Sequence, residues 1–227
     1  MTGSGDGRDL DLPRRLRAAT SDAHRSVEDA VDLPASVRTL EDYVRLLGRF
    51  WQLHAPLEER LEASAWAPRW TDLGIELSRH RRSHLVADDL AVLDAAPPSR
   101  PVRLPALRTF GEALGCLYVL EGSSLGGSVL APALRDAVGD VPLSFFSGEG
   151  RGHPAPWQAV RHALRRFDAS NESRNEARDE PRDEPGDEPQ DEPQDEPRDQ
   201  VVLGALETFA AFGRHLGGVA PAGGPAA

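Results

Sequence analysis

Two stretches of the chain hold residues whose types and spacing suit chemistry. The first is Thr20-Ser-Asp-Ala-His24-Arg-Ser-Val-Glu28. On a helix, a residue and its fourth successor lie one turn apart on the same side. Glu28 can therefore accept a hydrogen bond from one imidazole nitrogen of His24. That bond fixes the tautomer and leaves the other nitrogen free for a metal. An exposed His–Glu pair on a solvated face has the same spacing, so this stretch alone leaves both readings open. The second stretch runs from Phe110 to Leu130 and is apolar, yet it contains Gly111, Gly115, Gly122, Gly126 and Gly127. Each glycine inside a helix costs about 1 kcal/mol relative to alanine, a loss that close packing has to offset. Gly122 and Gly126 share a helix face. A face without Cβ atoms lets a flat ligand, or a neighbouring helix, approach the backbone, and a Gly-rich helix bends easily. Tight helix packing and a Gly-Ser loop remain alternatives.

A third constellation is Asp72, Glu76, His80, His84 and Asp88, one residue in four. On a single helix these would form a stripe able to bind a metal ion. Arg79, Arg81 and Arg82 interleave with it, which fits a solvated charged face. Multi-metal sites also draw ligands from several helices, and no matching Glu-x-x-His motif occurs elsewhere. His54 lies beside an apolar stripe and is expected at the edge of the core. Cys116 is expected to pack as a small hydrophobe.

The elements that must position these residues are helices. Leu12, Leu16, Ala19, Ala23 and Val27 recur at spacings of three and four, which predicts a helix over 12–31. Thr39 and Asp42 resemble a capping box opening a second helix that runs to about Glu62 and contains Pro56. A third is predicted over 71–95, before Pro97 and Pro98. The segment 106–138 is long and apolar, broken in its middle by Gly and Ser. Helices follow over 157–167 and 201–216. No alternating pattern persists long enough for a sheet. The expected fold is all-α, a single domain of six or seven helices over 12–216. Residues 1–11 read as a disordered tail and 217–227 as a flexible one.

Charge separates an insert from the body. Residues 171–200 contain thirteen acidic residues and four arginines, which accounts for nine of the eleven net negative charges. Within it, Asp-Glu-Pro repeats every fourth residue. Such proline spacing opposes a stable helix, and there is little apolar surface to bury, so this part is expected to be a disordered loop between helices. The remaining body is near neutral, and nothing in it reads as a nucleic-acid surface. All 26 basic residues are Arg. A single cysteine excludes an intrachain disulfide and fits a reducing compartment. No run of 18 apolar residues predicts a membrane span, and the Gly- and Asp-rich start lacks the order of a signal peptide. The expected location is the cytoplasm.

Taken in order, three segments resemble the haem oxygenase family, in its bacterial, biliverdin-producing branch. They are Ala19-Thr-x-x-x-His24-x-x-x-Glu28, the string Leu117-Tyr-Val-Leu-Glu-Gly-Ser-x-Leu-Gly-Gly127, and Phe145-Phe-Ser-Gly148 followed by Trp157. The resemblance implies haem held between a proximal helix and a kinked distal helix. It implies His24 as the axial iron ligand and Glu28 as the partner that orients it. Gly122 and Gly126 would contact the porphyrin face, with Gly127 adjacent. Ser123 would help anchor distal water, at a position where several relatives carry Asp. Arg17 and Tyr118 would pair with the haem propionates, and Arg161 or Arg165 are further candidates. The implied reaction is oxidative cleavage of haem to biliverdin, iron and CO. It uses O₂ and electrons from a ferredoxin or flavoprotein reductase. A photoreceptor is a possible recipient of the pigment. A haem-binding protein without turnover, and a non-haem metal enzyme on the same scaffold, are the alternatives.

Overall fold

The computed structural model describes residues 11–148, 154–179 and 196–217, and every regular element among them is helical. These are α1 (Leu12–Val31), α2 (Leu40–Leu61), α3 (Ala67–Asp72), α4 (Ser83–Val92), α5 (Phe110–Val138), α6 (Ser144–Ser147), α7 (Pro154–Asp179) and α8 (Glu196–Leu216). The ends are set by side chains on orphaned amides. Asp11 caps α1 through the Arg14 amide. Thr39 and Asp42 form the expected reciprocal capping box on α2. Thr109 accepts from the Glu112 amide at the start of α5, and the Glu112 carboxylate accepts from the Arg108 amide at 2.6 Å. Each such cap contributes about 1 kcal/mol.

α5 is the spine of the molecule. It is one helix through the Gly-Ser region where the sequence predicts a break. Over its most apolar window it is long and apolar enough to cross a membrane, but 56% of that window is buried among the other helices. Its apolarity therefore serves the core. The closest crossing is with α8. A Cβ at Gly115 would overlap the Val201 carbonyl oxygen and lie 2.7 Å from the Ala205 nitrogen. One at Gly204 would lie 2.6 Å from the Glu112 carbonyl carbon. Glycine from both helices is what permits the backbones to touch. α1 also packs along α8, whereas α1 and α5 meet only sparsely.

Further expectations are corrected. The helix predicted over 71–95 is interrupted. α3 stops at Asp72, Gly74 takes φ +73°, a 3-10 turn covers Leu77–His80, and α4 begins at Ser83. The break is stabilised from outside: the buried Glu58 carboxylate accepts the amides of Arg82 and Ser83 and the Ser83 hydroxyl. Second, helix extends into both ends of the 171–200 window, through Asp179 and from Glu196. Arg198 explains the latter end. Its guanidinium holds the buried Asp168 at 2.6 Å and Glu172 at 2.6 Å, while Asp168 also accepts the Leu12 amide. Thus α8 is fastened to α7 and α1 by a residue assigned to the loop. The remainder of the repeat, and the outer parts of both termini, lie outside the described residues. Asp11 belongs to the folded body.

Candidate functional site

His24 projects from α1 with its side chain 53% exposed, and its Nδ1 lies 3.2 Å from Oε2 of Glu28. Its ring meets the edge of Phe209 from α8, with centroids 5.7 Å apart. The imidazole is thus steered on one side by a carboxylate and braced by an aromatic ring. Nε2 is left available as a ligand for a metal.

The sequence contains the same His-x-x-x-Glu spacing a second time, at His54 and Glu58, and burial distinguishes the two. His54 is 1% exposed, its Nδ1 lies 3.4 Å from Glu58, and the rings of Phe50, Phe145 and Phe212 surround it. Its Nε2 is buried without a hydrogen-bond partner. Burial favours the protonated form of Glu58, but hydrogen bonds from His54, Ser83 and the Arg82 amide outweigh it and hold the carboxyl below its usual range.

The glycines of α5 fall into two groups. Gly111 and Gly115 face the backbone and side chains of α8. Gly122 and Gly126 do not: a Cβ at Gly122 would meet only the Trp157 ring, at 3.9 Å, and one at Gly126 would meet nothing within 4 Å. No packing contact in the structure accounts for glycine at these two positions. Gly127 does not share this open face. A Cβ there would come 3.2 Å from the Phe146 carbonyl oxygen, so its role in the structure is to let α6 pack against α5. The Ser123 hydroxyl donates to the Leu120 carbonyl at 2.8 Å, which leaves its oxygen lone pairs available to a water molecule.

The α1 and α5 stripes meet at Tyr118, one turn before Gly122, and Thr20, one turn before His24. Burial pushes the Tyr118 phenol upward, opposed by a hydrogen bond with Thr20 and by the nearby Arg17 and Arg161 guanidinium groups. Trp157 of α7 packs on the Tyr118 ring at 5.3 Å. Arg17 and Arg161 therefore belong to the corner from which both stripes run. Arg165 is drawn toward Asp11, at 3.9 Å.

The Asp72–Asp88 stripe, which the sequence favours as a solvated charged face over a metal site, is broken up between α3 and α4. Asp72, Glu76, His84 and Asp88 are exposed, whereas His80 is buried and its Nδ1 lies 2.8 Å from Glu121 of α5. Among the described residues no group of three or more His, Cys, Asp or Glu side chains is placed to hold a metal ion. The His80–Glu121 and His54–Glu58 pairs were not singled out by sequence reasoning. Only the repeated His-x-x-x-Glu spacing could have suggested the second, and nothing local links residues 80 and 121.

No family model matches the chain. A protein named heme oxygenase from Xanthomonas campestris pv. campestris (strain 8004) is 34% identical over 140 residues, which cover 59% of this chain and 74% of that one. The fold is similar to that of the NO- and CO-bound heme oxygenase from Neisseria meningitidis. The TM-score is 0.64 at 23% identity, over 91% of this chain and 90% of the other.

Proposed function

On the premise that this chain belongs to the haem oxygenase family, we propose how its own residues bind haem and direct its cleavage. The protein is a haem-degrading oxygenase that yields biliverdin, with release of iron and CO. The observation that carries the site assignment is the pairing of an accessible, carboxylate-oriented His24 with an α5 face left bare at Gly122 and Gly126. A flat macrocycle fits a face without Cβ atoms, and its iron fits a neutral imidazole.

Bound haem supplies both the iron that takes up O₂ and the carbon framework that is oxidised. His24 would hold the iron through Nε2, with Glu28 keeping its Nδ1 engaged. A neutral imidazole keeps the iron reducible and able to bind O₂, where a thiolate would favour O–O cleavage. Gly122 and Gly126 would admit the macrocycle close to the α5 backbone. Ser123, whose hydroxyl donates to the Leu120 carbonyl, would accept a hydrogen bond from a water molecule on this face and so hold a proton source there. Arg17 and Tyr118 anchor the propionates by charge-assisted and phenolic hydrogen bonds, which fixes the in-plane rotation. Electrons come from an external carrier such as a ferredoxin or flavoprotein reductase. A cytoplasmic setting and a photoreceptor as recipient of the pigment complete the reading. Cys116, buried and free, takes no part, since burial pushes its thiol up to about 12.

The test is haem titration of the purified chain, followed by ascorbate and O₂. A Soret band that converts to bile-pigment absorption, lost in His24→Ala, supports the reading. A stable Soret band with no pigment would leave a haem-binding protein without turnover. No Soret band would refute the haem site.

A further inference from the structure

Between Glu121 and Gly127, α5 carries Gly122, Gly126 and Gly127 with Ser123 and Ser124. Both serine hydroxyls donate to the Leu120 carbonyl, at 2.8 and 3.1 Å. A helix of this composition bends easily, and a Cβ at Gly122 or Gly126 would find no atom closer than 3.9 Å. Two contacts on its other sides bracket the segment. At one end the buried Glu121 meets Nδ1 of the buried His80 at 2.8 Å, from the 3-10 turn before α4. At the other end Gly127 admits the Phe146 backbone of α6. These two anchors are themselves joined. Arg82 lies two residues beyond His80, is buried, and is attracted by the carboxylates of both Glu121 and Glu58. It also donates to the Phe145 carbonyl at 3.4 Å. Asp89 accepts the Ser144 and Phe145 amides at 3.0 and 2.9 Å, and Glu58 accepts the amides of Arg82 and Ser83.

Charges buried in this way are expensive, and apolar side chains of the same volume often stabilise a core as well or better. What ion pairs and directed hydrogen bonds add is a defined position. We propose that Glu121, His80 and Arg82 form a buried brace that fixes the Gly122–Gly127 segment, and so sets where the bare face of α5 stands relative to the macrocycle. The proposal rests on the haem oxygenase reading. All three are positioning residues: their side chains lie in the interior, and they act through the backbone of α5. Glu121 directly precedes Gly122, so a shift of its carboxylate moves the first bare position with it. Reaction geometry is sensitive to displacements well below the size of an atom. Loosening the brace should therefore alter which carbon is attacked while the His24 side of the site is unchanged.

The experiment compares wild type with Glu121→Ala, His80→Ala, the double variant and Glu121→Gln. Arg198→Ala is the control for lost stability, since it breaks a buried pair whose neighbours Pro197 and Gln200 pack at the opposite end of α5. Amide hydrogen exchange is measured on the haem-free proteins, and the haem-loaded proteins are then driven by ascorbate and O₂. Exchange over residues 122–127 should quicken about tenfold or more beyond that in Arg198→Ala for either alanine variant. The double variant should add little to the single ones, because both remove one link. Glu121→Gln keeps an acceptor for His80 and should fall between. The Soret band should stay that of a His24-ligated haem, while the ratio of biliverdin isomers shifts about twofold or more. If Glu121→Ala does not fold, His80→Ala, which leaves α5 intact, carries the comparison. Exchange over 122–127 no faster than in Arg198→Ala would overturn the brace, and so would fully additive effects in the double variant. A changed isomer ratio without faster exchange would overturn it too, because the residues would then act other than by holding α5. Wild type that forms no biliverdin would instead overturn the haem oxygenase reading, with the exchange comparison still judging the brace.

Discussion

The two groups of α5 glycines respond to the same substitution in opposite directions. Consider Gly126→Ala and Gly115→Ala in the haem-free protein. Nothing lies within 4 Å of a Cβ at residue 126, so the methyl group meets no obstacle, and alanine recovers about 1 kcal/mol of helix propensity. For a chain of this size that raises Tm by about 2–4 °C. A Cβ at residue 115 overlaps the Val201 carbonyl oxygen and sits 2.7 Å from the Ala205 nitrogen. Both atoms are helix backbone and yield only if α5 and α8 separate. Overpacking of that kind costs about 3 kcal/mol, at the upper end of the usual range. After the propensity gain, the net loss is about 2 kcal/mol, or about 4–8 °C in Tm. Haem binding separates the sites again. Gly126→Val, with a larger branched side chain on the bare face, should weaken haem affinity tenfold or more while helix content is retained. Circular-dichroism melts and Soret titrations read both quantities. If Gly126→Ala melts as far below wild type as Gly115→Ala, the face is not bare. If Gly126→Val binds haem as wild type does, the glycines do not cradle the macrocycle.

Four further outcomes are expected. His24→Ala should lose the axial bond and turnover, and added imidazole should restore part of both; full activity without imidazole would remove His24 from the iron. Arg17→Ala should weaken haem binding little, since an exposed ion pair contributes about 1 kcal/mol or less. It should still shift the ratio of biliverdin isomers resolved by chromatography, and an unchanged ratio would take Arg17 out of the site. Glu58, whose carboxyl is held below its ordinary value of 4.5 in the folded protein, contributes stability above that pH which is lost as pH falls through the folded value. Glu58→Gln should therefore lower the urea midpoint at pH 7 and flatten its decline below pH 4.5; parallel pH profiles would contradict this. Arg198→Ala leaves the buried Asp168 without its cation and should cost about 3 kcal/mol, seen as a lower Tm, whereas a neutral effect would make the α7–α8 tie incidental.

The helices were legible where one periodicity ran uninterrupted between caps. α1 and α2 matched the apolar spacing and the Thr39–Asp42 box to within a residue or two. Residues 71–95 misled because a regular pattern of Asp, Glu and His at every fourth position mimics a helix face. What ends that helix is Gly74 in the left-handed region, together with a carboxylate 24 residues upstream, Glu58, that captures the Arg82 and Ser83 amides. A long-range acceptor leaves no local trace. The acidic repeat misled at its edge for a similar reason. Arg198 sits among Asp, Glu and Pro, and composition alone gives no hint that its partners are Asp168 and Glu172 on another helix.

The site shows where pattern stops and geometry begins. Spacing placed Glu28 one turn from His24, and the structure puts them in contact. Spacing also offered His54 and Glu58, and no local rule ranks one pair above the other. The difference is exposure: His54 is closed in by three phenylalanine rings, whereas His24 stands open beside Phe209. The glycines make the same point. Five in one apolar helix announced close approach but not to what. Gly111 and Gly115 approach α8, Gly127 approaches α6, and Gly122 and Gly126 face no atom closer than 3.9 Å. A helix tolerates the propensity cost of glycine only where something returns it. At the first three positions the return is visible as backbone and side-chain contact. At the last two no protein atom returns it, and the flat ligand proposed to sit on the histidine one turn beyond Thr20 would.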